Sequence, residues 1–411
     1  MPDTETLFPS LDSAIRPTLD ALPDLIEKVF PLPGRFRSGL PEDVAELSRL
    51  LTSERGERSR SYLGRPNLLS AYLRYFLPWN VYRLSRLLPA LDLPLVPGSA
   101  VTDLGSGPFT LPIALWISRP DLRNIPLEFR CTDQTGSGLE AGKKLFAALC
   151  AAAPPLNAGA IPWTIRTIRA PLNAPINGPR AALTTAINLF NELIPPSGAL
   201  GSMAAKYAAL LSSLTAESGS ILIMEPGVPR SGEFITALRR VLIEHDRPPR
   251  APCPHHNDCC FPGGRLSNGG KQKWCHFAFD TTDAPSKLLS LSAAAGIPKE
   301  RAVMSFLFAG AAGKSGDMDS VANTNTTVVT QKTAAPDGTS DDAFPVRIVS
   351  DPFPLAGHRF GRYGCSVKGM VLAAGSMATV ETLLSGTLLH LPPSDKEKRD
   401  AKSGALIMEI G

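Results

Sequence analysis

A short glycine loop between two apolar segments constrains the fold of this chain more than any other feature. Residues 101–104 lead into Gly105-Ser106-Gly107, and an apolar run over 111–117 follows. This pattern predicts a strand, a tight loop and a helix whose first amides face a nucleotide-like ligand. The dinucleotide fingerprint needs a third glycine where this chain has Thr110, which disfavours NAD. A purely structural turn remains the alternative.

The overall composition is that of a globular protein. Of the 411 residues, 43% are hydrophobic and 19% are charged, and the net charge of +4 does not by itself require a nucleic-acid partner. No apolar run reaches the roughly 20 residues that a membrane helix needs. Asp3, Glu5 and Asp12 precede the first basic residue, Arg16, which is unlike a secretory signal or a mitochondrial presequence. We therefore expect a cytoplasmic monomer with no membrane partner.

Residues 1–95 predict a helical N-terminal domain, because their apolar residues recur with the helical period. Its later part, 62–84, interleaves aromatic residues with arginines. Aromatic and arginine side chains together can bind RNA by stacking and phosphate pairing, but an amphipathic helix with core aromatics and solvated charges is the more common explanation. The arginines concerned are Arg60, Arg65, Arg74, Arg83 and Arg86.

Residues 96–310 alternate short apolar strands with helices, which predicts a parallel sheet covered on both faces. We expect seven strands, near residues 100–103, 127–132, 163–168, 182–187, 220–224, 274–279 and 302–308. The second strand ends at Asp133, where a carboxylate can accept hydrogen bonds from both ribose hydroxyls of a nucleotide. An N-cap for the helix beginning near Gly138 is an equally good interpretation of Asp133.

The fourth predicted strand runs into a polar segment, residues 188–196, at the edge where α/β sheets place ligand-contacting groups. Amino-group methyltransferases carry an Asn/Asp-Pro-Pro-aromatic motif here. In this chain Pro195 and Pro196 come after Asn191 and Glu192, and no aromatic residue follows them. The motif is therefore degraded, and Asn191 and Glu192 are weak catalytic candidates that could instead cap the loop.

Five of the seven cysteines lie in loops rich in proline and glycine or near a later strand, which favours a soft metal over a disulfide scaffold. The first group spans Cys253, Cys259 and Cys260, and Cys275 and Cys365 follow downstream. Thiolates indicate an iron-sulfur cluster or tetrahedral zinc, and three histidines could complete a zinc site. They are His255, His256 and His276. Cys131 and Cys150 are predicted to be structural.

Five motifs in one order give the chain a resemblance to a known family. They are Asp-Leu-Gly-Ser-Gly-Pro at 103–108, Cys-Pro-His-x-x-x-Cys at 253–259, Trp-Cys-His-Phe at 274–277, Ser-Asp-Pro at 350–352 and Arg-Tyr-Gly-Cys at 362–365. Over roughly residues 60–375, the chain resembles the methyltransferase-like proteins associated with the mitochondrial small ribosomal subunit, together with their bacterial relatives.

The resemblance implies an α/β fold: a Rossmann-like class I methyltransferase sheet with a helical N-terminal domain and a small C-terminal β unit. The Asp-x-Gly-x-Gly loop at 103–107 also resembles the first motif of Rossmann-like methyltransferases, whose cofactor is S-adenosylmethionine. With the strand-end Asp133, the candidate cofactor-binding residues are Asp103, Gly105, Gly107 and Asp133. The family resemblance also implies a 4Fe-4S cluster, with zinc as the alternative. The implied ligands are Cys253, Cys259, Cys275 and Cys365, although Cys260 stands where the family usually has proline and could replace Cys259.

The remaining boundaries follow from composition. The cysteine-rich loop covers 246–276, and residues 311–342 are rich in Ser, Thr, Asn, Gly and Asp, which predicts a flexible insertion. Residues 343–390 predict the β unit that brings Cys365 back to the loop, and 391–411 predict a solvated tail.

The resemblance implies a protein that acts on small-subunit rRNA or in assembly of the small ribosomal subunit. Three functions remain open: a methyltransferase, a non-catalytic assembly factor that binds rRNA phosphates, and a redox or iron sensor that reaches the ribosome only with its cluster in place. The intact glycine loop favours the first, whereas the degraded motif after the fourth strand favours the second. The candidate phosphate-binding residues are Arg239, Arg240, Arg247, Arg250, Arg265, Lys271 and Lys273.

Overall fold

A computed structural model describes residues 5–52, 62–155, 162–194, 200–264, 271–310, 343–393 and 397–410. The predicted insertion at 311–342 and the residues Arg60, Pro195, Pro196 and Arg265 lie outside the described residues. None of the helices in the described ranges combines the length and the hydrophobicity that a membrane span requires.

The N-terminal region is mainly helical, as its periodicity predicts. Its last helices are continuous with one another, because a π-helical segment, Tyr72–Phe76, joins α5 to α6. The helices are α1 (Arg16–Asp20), α2 (Leu22–Val29), α3 (Gly34–Arg37), α4 (Leu40–Thr52), α5 (Pro66–Ala71) and α6 (Leu77–Leu87). In α6 the apolar residues are fully buried against the following domain, so this helix is part of the core.

A central sheet follows. Its strands are β2 (Ser99–Leu104), β3 (Leu127–Asp133), β4 (Trp163–Arg169), β5 (Ala181–Ile187), β6 (Thr215–Pro226), β7 (Pro249–Ala251), β8 (Phe277–Asp280) and β9 (Arg301–Gly310). The accompanying helices are α7 (Thr110–Ser118), α8 (Gly136–Ala152), α9 (Phe190–Leu193), α10 (Leu200–Leu214), α11 (Pro229–Glu244) and α12 (Ser286–Ala294). The strands lie in the order β4-β3-β2-β5-β6-β9-β7, and β8 also pairs with β9.

The pairing confirms the predicted Rossmann-like class I methyltransferase fold. Strands β2 to β6 are parallel, whereas β9 runs antiparallel between β6 and β7. From β2, the next strands β3 and β4 lie on one side, whereas β5 and β6 lie on the other. The strand order therefore reverses between β2 and β5, and such a switch point opens a crevice at the carboxyl edge. Two strand predictions are corrected: the strand predicted at 274–279 starts later, as β8, and the sheet contains a strand that was not predicted, β7.

The C-terminal region forms a second sheet. It contains β1 (Glu5–Thr6), β10 (Phe344–Ile348), β11 (Phe353–Leu355), β12 (Arg359–Ser366), β13 (Gly369–Gly375), β14 (Thr387–Leu391) and β15 (Leu406–Glu409), with helix α13 (Met377–Thr382). The order is β1-β14-β10-β12-β13-β15, and β11 pairs with β12.

Two boundary predictions differ from this sheet. The predicted tail at 391–411 contains β15, which pairs in parallel with β13 through Leu406 and its neighbours because Leu406 and Met408 are buried. The predicted helical domain at 1–95 begins with β1, which pairs with β14. Both ends of the described chain therefore join the second sheet, and β1 does so from the opposite end of the sequence.

Candidate functional site

The glycine loop lies between β2 and α7, as predicted. Gly105 and Gly107 both have positive φ, 64° and 51°, which is the left-handed region that glycine adopts without strain. A Cβ on Gly105 would lie 2.6 Å from Leu189 Cδ1, whereas a Cβ on Gly107 would meet nothing within 4 Å. Gly105 thus permits close packing, and Gly107 borders open space where a ligand can approach.

Asp103 is buried beneath this loop and serves the loop's own structure. Its carboxylate accepts hydrogen bonds from Ser106 Oγ at 2.5 Å and from Thr185 Oγ1 at 2.6 Å. Burial raises the pKa of Asp103 to about 6, against the opposing effect of these two hydroxyls. The side chain joins the loop to β5, so it supports a ligand site from below.

Asp133 connects the end of β3 to the same loop. Its Oδ2 accepts a hydrogen bond from the Gly107 amide at 3.0 Å, and its Oδ1 accepts one from the Thr135 amide at 2.7 Å. The N-cap position of α8 belongs to Thr135. The alternative in which Asp133 is that N-cap residue is therefore wrong. Burial raises the pKa of Asp133, and the two amides act in the opposite direction.

A cavity of about 560 Å³ opens beside Asp133. It lies where β3 and β4 end and α8 begins, at the carboxyl edge of the sheet. Its lining residues are Gly64, Gln134, Thr135, Gly136, Ser137, Leu139, Glu140, Thr167 and Arg169. Sequence patterns did not single out these residues, because each strand end supplies only one or two polar side chains. The cavity forms only where these segments meet in the folded protein.

The segment after β5 is held in place by a carboxylate from the neighbouring strand. Glu225, buried at the end of β6, accepts hydrogen bonds from the amides of Phe190 and Asn191 at 2.7 and 2.9 Å. Asn188 has a φ of 54°, so the chain turns sharply as it leaves the sheet. Asn191 is buried, and Glu192 is half-buried.

The N-terminal helical region reaches into this edge of the sheet. The Tyr62 hydroxyl donates to Glu192 Oε1 at 2.9 Å, and Ser137 Oγ donates to the Leu63 carbonyl at 2.9 Å. Tyr72 is half-buried, and its pKa rises through burial and through the carboxylates of Glu192 and Asp133. These contacts bring the two weak catalytic candidates, Asn191 and Glu192, to the same edge as the glycine loop.

The structure brings together the cysteines that the sequence grouped. The Cys253 and Cys259 loop follows β7, Cys275 precedes β8, and Cys365 lies in β12 of the second sheet. The charges on Cys253, Cys259 and Cys365 would each raise the pKa of the Cys275 thiol, in addition to its burial. Cys260 also belongs to this group of cysteines. Its hydrogen bond with Cys365 is the main cause of the raised pKa of the Cys365 thiol.

Buried arginine and histidine side chains surround these thiols. Arg239 Nε donates to Cys253 Sγ at 3.2 Å, and Arg239 Nη2 donates to the carbonyls of His255 and Asn257. His255 Nε2 lies 3.1 Å from Cys365 Sγ. Burial lowers the pKa of His255 to about 4, so its imidazole is neutral at pH 7.

Metal-ligand geometry is not formed by these side chains. Among the residues that the structure describes, no group of three or more His, Cys, Asp or Glu side chains is arranged to hold a metal ion. Burial raises the pKa of Cys253 to about 11 and that of Cys259 to about 12. Without a bound cation these thiols are therefore protonated. Cys131 and Cys150 lie in the apolar core, which agrees with their predicted structural role.

Three of the predicted phosphate-binding residues contact other parts of the protein, and two of them are buried. Arg239 contacts the cysteine loop, and Arg247 is buried and donates to the carbonyls of Gly219, Thr215 and Ala216. Arg250 pairs with Asp92 at 2.9 Å. The prediction that Arg239 and Arg247 grip rRNA is therefore wrong, because buried guanidinium groups must satisfy their donors locally.

Comparison with known proteins supports the resemblance that the motifs indicate. Residues 179–338 match the family model Rsm22, described as mitochondrial small ribosomal subunit Rsm22, and this match confirms the predicted family resemblance. No curated protein matches the chain by sequence.

Solved methyltransferase structures resemble the chain at low identity. A putative class I S-adenosylmethionine-dependent methyltransferase from Listeria monocytogenes is 10% identical, with a TM-score of 0.36, covering 74% of this chain and 88% of that one. A methyltransferase from Geobacter sulfurreducens in complex with S-adenosylhomocysteine is 12% identical, with a TM-score of 0.30, covering 64% and 96%. The magnesium protoporphyrin IX methyltransferase of Synechocystis, with bound S-adenosylhomocysteine, is 13% identical, with a TM-score of 0.30, covering 66% and 100%. These scores are too low to carry an argument, so the strand order alone carries the fold.

Proposed function

We propose that this Rsm22-like protein binds S-adenosylmethionine at the carboxyl edge of its central sheet and methylates RNA of the small ribosomal subunit. The observation that carries the proposal is the joint geometry of Gly107 and Asp133. The Gly107 amide is hydrogen-bonded to the Asp133 carboxylate, while the space above Gly107 is open. A glycine loop beside a strand-end carboxylate is the arrangement that α/β folds use for a nucleoside ligand.

In this proposal the glycine loop contacts the methionine part of the cofactor, and Asp133 contacts the ribose. The cavity beside Asp133 receives the adenine. Asp103 acts from below, because it is buried beneath the loop and binds Ser106 and Thr185, whereas Asp133 is only half-buried. The bound cofactor would supply an electrophilic methyl group on a sulfonium.

The acceptor side of the proposed site is formed by the segment after β5. An acceptor atom of the RNA would attack the methyl carbon as the carbon-sulfur bond breaks, leaving a neutral thioether, and the acceptor would then release a proton to solvent. The described residues at this edge would contribute mainly by positioning the two reactants. Positioning alone can remove a large part of the activation barrier in reactions of this kind. Glu192, held by Tyr62, is the candidate that would orient the acceptor.

Calorimetry with S-adenosylmethionine and a methylation map of small-subunit rRNA test this proposal. We expect the purified protein to bind the cofactor and its product, and we expect one rRNA position to lose methylation when the gene is deleted. Binding without any change in the map would favour the second candidate, a non-catalytic assembly factor, which the degraded motif at 188–196 supports. An absence of cofactor binding would refute both the site and the activity.

We infer a second property: the gathered cysteines hold an iron-sulfur cluster, with zinc as the alternative. The support is the chemistry of the donor set, since four thiols from three separated segments converge near two buried arginines, Arg239 and Arg347. Soft thiolates favour iron-sulfur clusters and zinc. A cation is also what would keep such buried thiols deprotonated. The fit is one of ligand type, with Cys253, Cys275, Cys365 and either Cys259 or Cys260 as ligands.

Anaerobic purification decides between the metals. Brown protein that contains iron and sulfide would support the cluster, whereas colourless protein with one zinc would support the alternative. Cys365→Ser should lower the metal content, and Cys131→Ser, in the core of the central sheet, is the control that should keep it. Metal-free wild-type protein would exclude both the iron-sulfur cluster and zinc.

The cytoplasmic location also remains a prediction, since the matching family model is described as mitochondrial.

A further inference from the structure

One arginine of the aromatic segment differs from its neighbours in its partners. Arg65 pairs with Glu46 at 3.2 Å, Arg74 with Glu27 at 3.0 Å and Arg86 with Asp283 at 2.9 Å. In the part of the chain that the structure describes, Arg83 forms no such ion pair. Arg83 Nη1 donates to the Asn80 side chain at 2.9 Å, and its Nε is buried without a hydrogen-bond partner among the described residues.

A second cation lies next to Arg83. Lys299, in the loop between α12 and β9, is half-buried, and its Nζ lies 5.8 Å from the ring centroid of Tyr75 and 5.9 Å from that of Trp79. Burial and the nearby Arg83 lower the pKa of Lys299 to about 8, and burial lowers that of Arg83 to about 10. No carboxylate within the described ranges forms a salt bridge with Lys299.

Two adjacent cations without a carboxylate are electrostatically unfavourable. Each loses hydration on burial, and each repels the other, so an external anion between them would gain the free energy that an internal carboxylate supplies elsewhere. The aromatic rings of Tyr75 and Trp79 compensate Lys299 only in part, because cation–π contacts are weaker than a charge-assisted hydrogen bond. The pair therefore has the properties of an anion site.

The position of the pair connects it to the proposed cofactor site. Asn80, which accepts from Arg83, also contacts the hydroxyl of Tyr72. The same hydroxyl contacts Thr110, at the start of the helix that follows the glycine loop. The negative charges of Glu192 and Asp133 raise the pKa of this hydroxyl. A series of adjacent polar side chains thus leads from Arg83 to the carboxyl edge of the sheet.

We propose that Arg83 and Lys299 bind a backbone phosphate of the RNA acceptor and thereby determine which nucleotide reaches the cofactor. The identity of the ligand as RNA rests on the proposed function, whereas the anion site rests on the two cations themselves. A phosphate accepts from a guanidinium and an ammonium at once, and it carries the single negative charge that the described residues do not supply.

Binding of a fluorescein-labelled single-stranded RNA of mixed sequence, measured by anisotropy across a range of salt concentrations, tests the site. Arg83→Gln and Lys299→Gln should each weaken binding about fivefold to tenfold. Each should also reduce the salt slope, and the double variant should reduce it by about 0.7 in total, because the two residues together neutralise one phosphate. The fold-loss of affinity in the double variant should be smaller than the product of the two single fold-losses, since both residues contact one phosphate.

Lys287→Gln is the matched control, because Lys287 is an exposed lysine of α12 that pairs with Asp24. It should leave affinity and slope close to wild type. Arg83→Lys, which retains the charge, should keep most of the slope. Thermal unfolding of each variant separates a loss of binding from a loss of fold. A methylphosphonate probe, which lacks backbone charge, should bind wild type and both glutamine variants equally.

Unchanged affinity and slope in well-folded glutamine variants would overturn the anion site, as would weaker binding with an unchanged slope. Calorimetry with S-adenosylmethionine is carried out on the same proteins and reports on the proposed function independently. If the cofactor fails to bind wild type while the RNA slopes change as expected, the methyltransferase proposal fails and the phosphate site stands.

Discussion

At the scale of single residues, the two glycines of the loop have different roles although both have positive φ. Gly105 lies against Leu189, and Gly107 faces open space. The conformational requirement is thus shared, but only Gly107 borders the space that the proposed cofactor would fill. Substitutions can separate the cost of the conformation from the loss of the ligand.

Gly107→Asp should abolish S-adenosylmethionine binding with a loss of stability of only about 1–2 kcal/mol, since aspartate tolerates the left-handed region better than most residues. The added carboxylate would occupy the space of the cofactor. Calorimetry and urea unfolding measure the two effects. Gly98→Asp is the matched control, because Gly98 also has positive φ and open space where a Cβ would lie, yet is outside the loop. Equal cofactor affinity in Gly107→Asp and wild type would contradict the placement.

Asp103 makes the stability of the fold depend on pH. Burial raises its pKa from 3.8 to about 6, so the folded state keeps the proton at pH values where the unfolded state has released it. The free energy of unfolding should therefore decrease as the pH rises from about 4 to about 6, by roughly 1–3 kcal/mol. Asp103→Asn should flatten this part of the profile. Urea unfolding across that range measures the difference, and parallel profiles would refute the assignment to Asp103.

At the scale of elements, the candidate site depends on how strand ends hold the loops beside them. Glu225 at the end of β6 binds the first amides of α9, and Asp133 at the end of β3 binds the glycine loop. In both cases a carboxylate from one element satisfies backbone donors of another. The loops at the carboxyl edge are consequently positioned by the sheet.

Glu225→Gln should destabilise the protein by about 1–3 kcal/mol, because a carboxamide has one acceptor oxygen and its NH₂ would face a backbone N–H. The segment 188–194 should exchange its amide hydrogens faster than in wild type. Glu217→Gln provides the control, since Glu217 lies in the same strand and is exposed. Hydrogen exchange with mass spectrometry measures the local effect. If exchange in that segment is unaltered, Glu225 does not hold the turn.

At the scale of the whole molecule, the N-terminal segment joins parts that are far apart in sequence. Phe8 follows β1 and stacks on Phe279 at 5.0 Å, and its ring also contacts Phe277 and Phe306 of the central sheet. Its carbonyl accepts a hydrogen bond from Arg86 Nη2 of α6 at 3.1 Å. One short segment therefore contacts both sheets and the helical region.

Phe8→Ala should lower the free energy of unfolding by about 3–5 kcal/mol through the lost burial and the cavity that remains. The second sheet, which contains Cys365, should become more susceptible to protease, because β1 pairs with its strand β14. Phe36→Ala, at a side chain that is 51% exposed, should change stability by less than about 0.5 kcal/mol. Limited proteolysis and thermal unfolding report the outcome; equal effects of the two substitutions would show that the segment is not a structural junction.

Local patterns in the sequence were sufficient for much of the central domain. The glycine loop, the parallel strands from β2 to β6 and the helices between them depend on residues close to one another in the chain. The ordered motifs likewise predicted the family resemblance and the gathering of Cys253 and Cys275 with Cys365. These features could be predicted because glycine conformation and hydrophobic periodicity act over a few residues.

The sequence by itself thus determined the class of fold, the candidate cofactor loop and the helical character of the N-terminal region. Only the tertiary structure decided that β1 and β15 join the second sheet, that Arg239 and Arg247 are buried, and that Arg83 lies beside Lys299 with no ion-paired carboxylate among the described residues. The physical reason is that an edge strand or a charged side chain takes its partner from whatever segment the fold brings near. Neither strand pairing nor ion pairing over such distances leaves a periodic pattern in the chain.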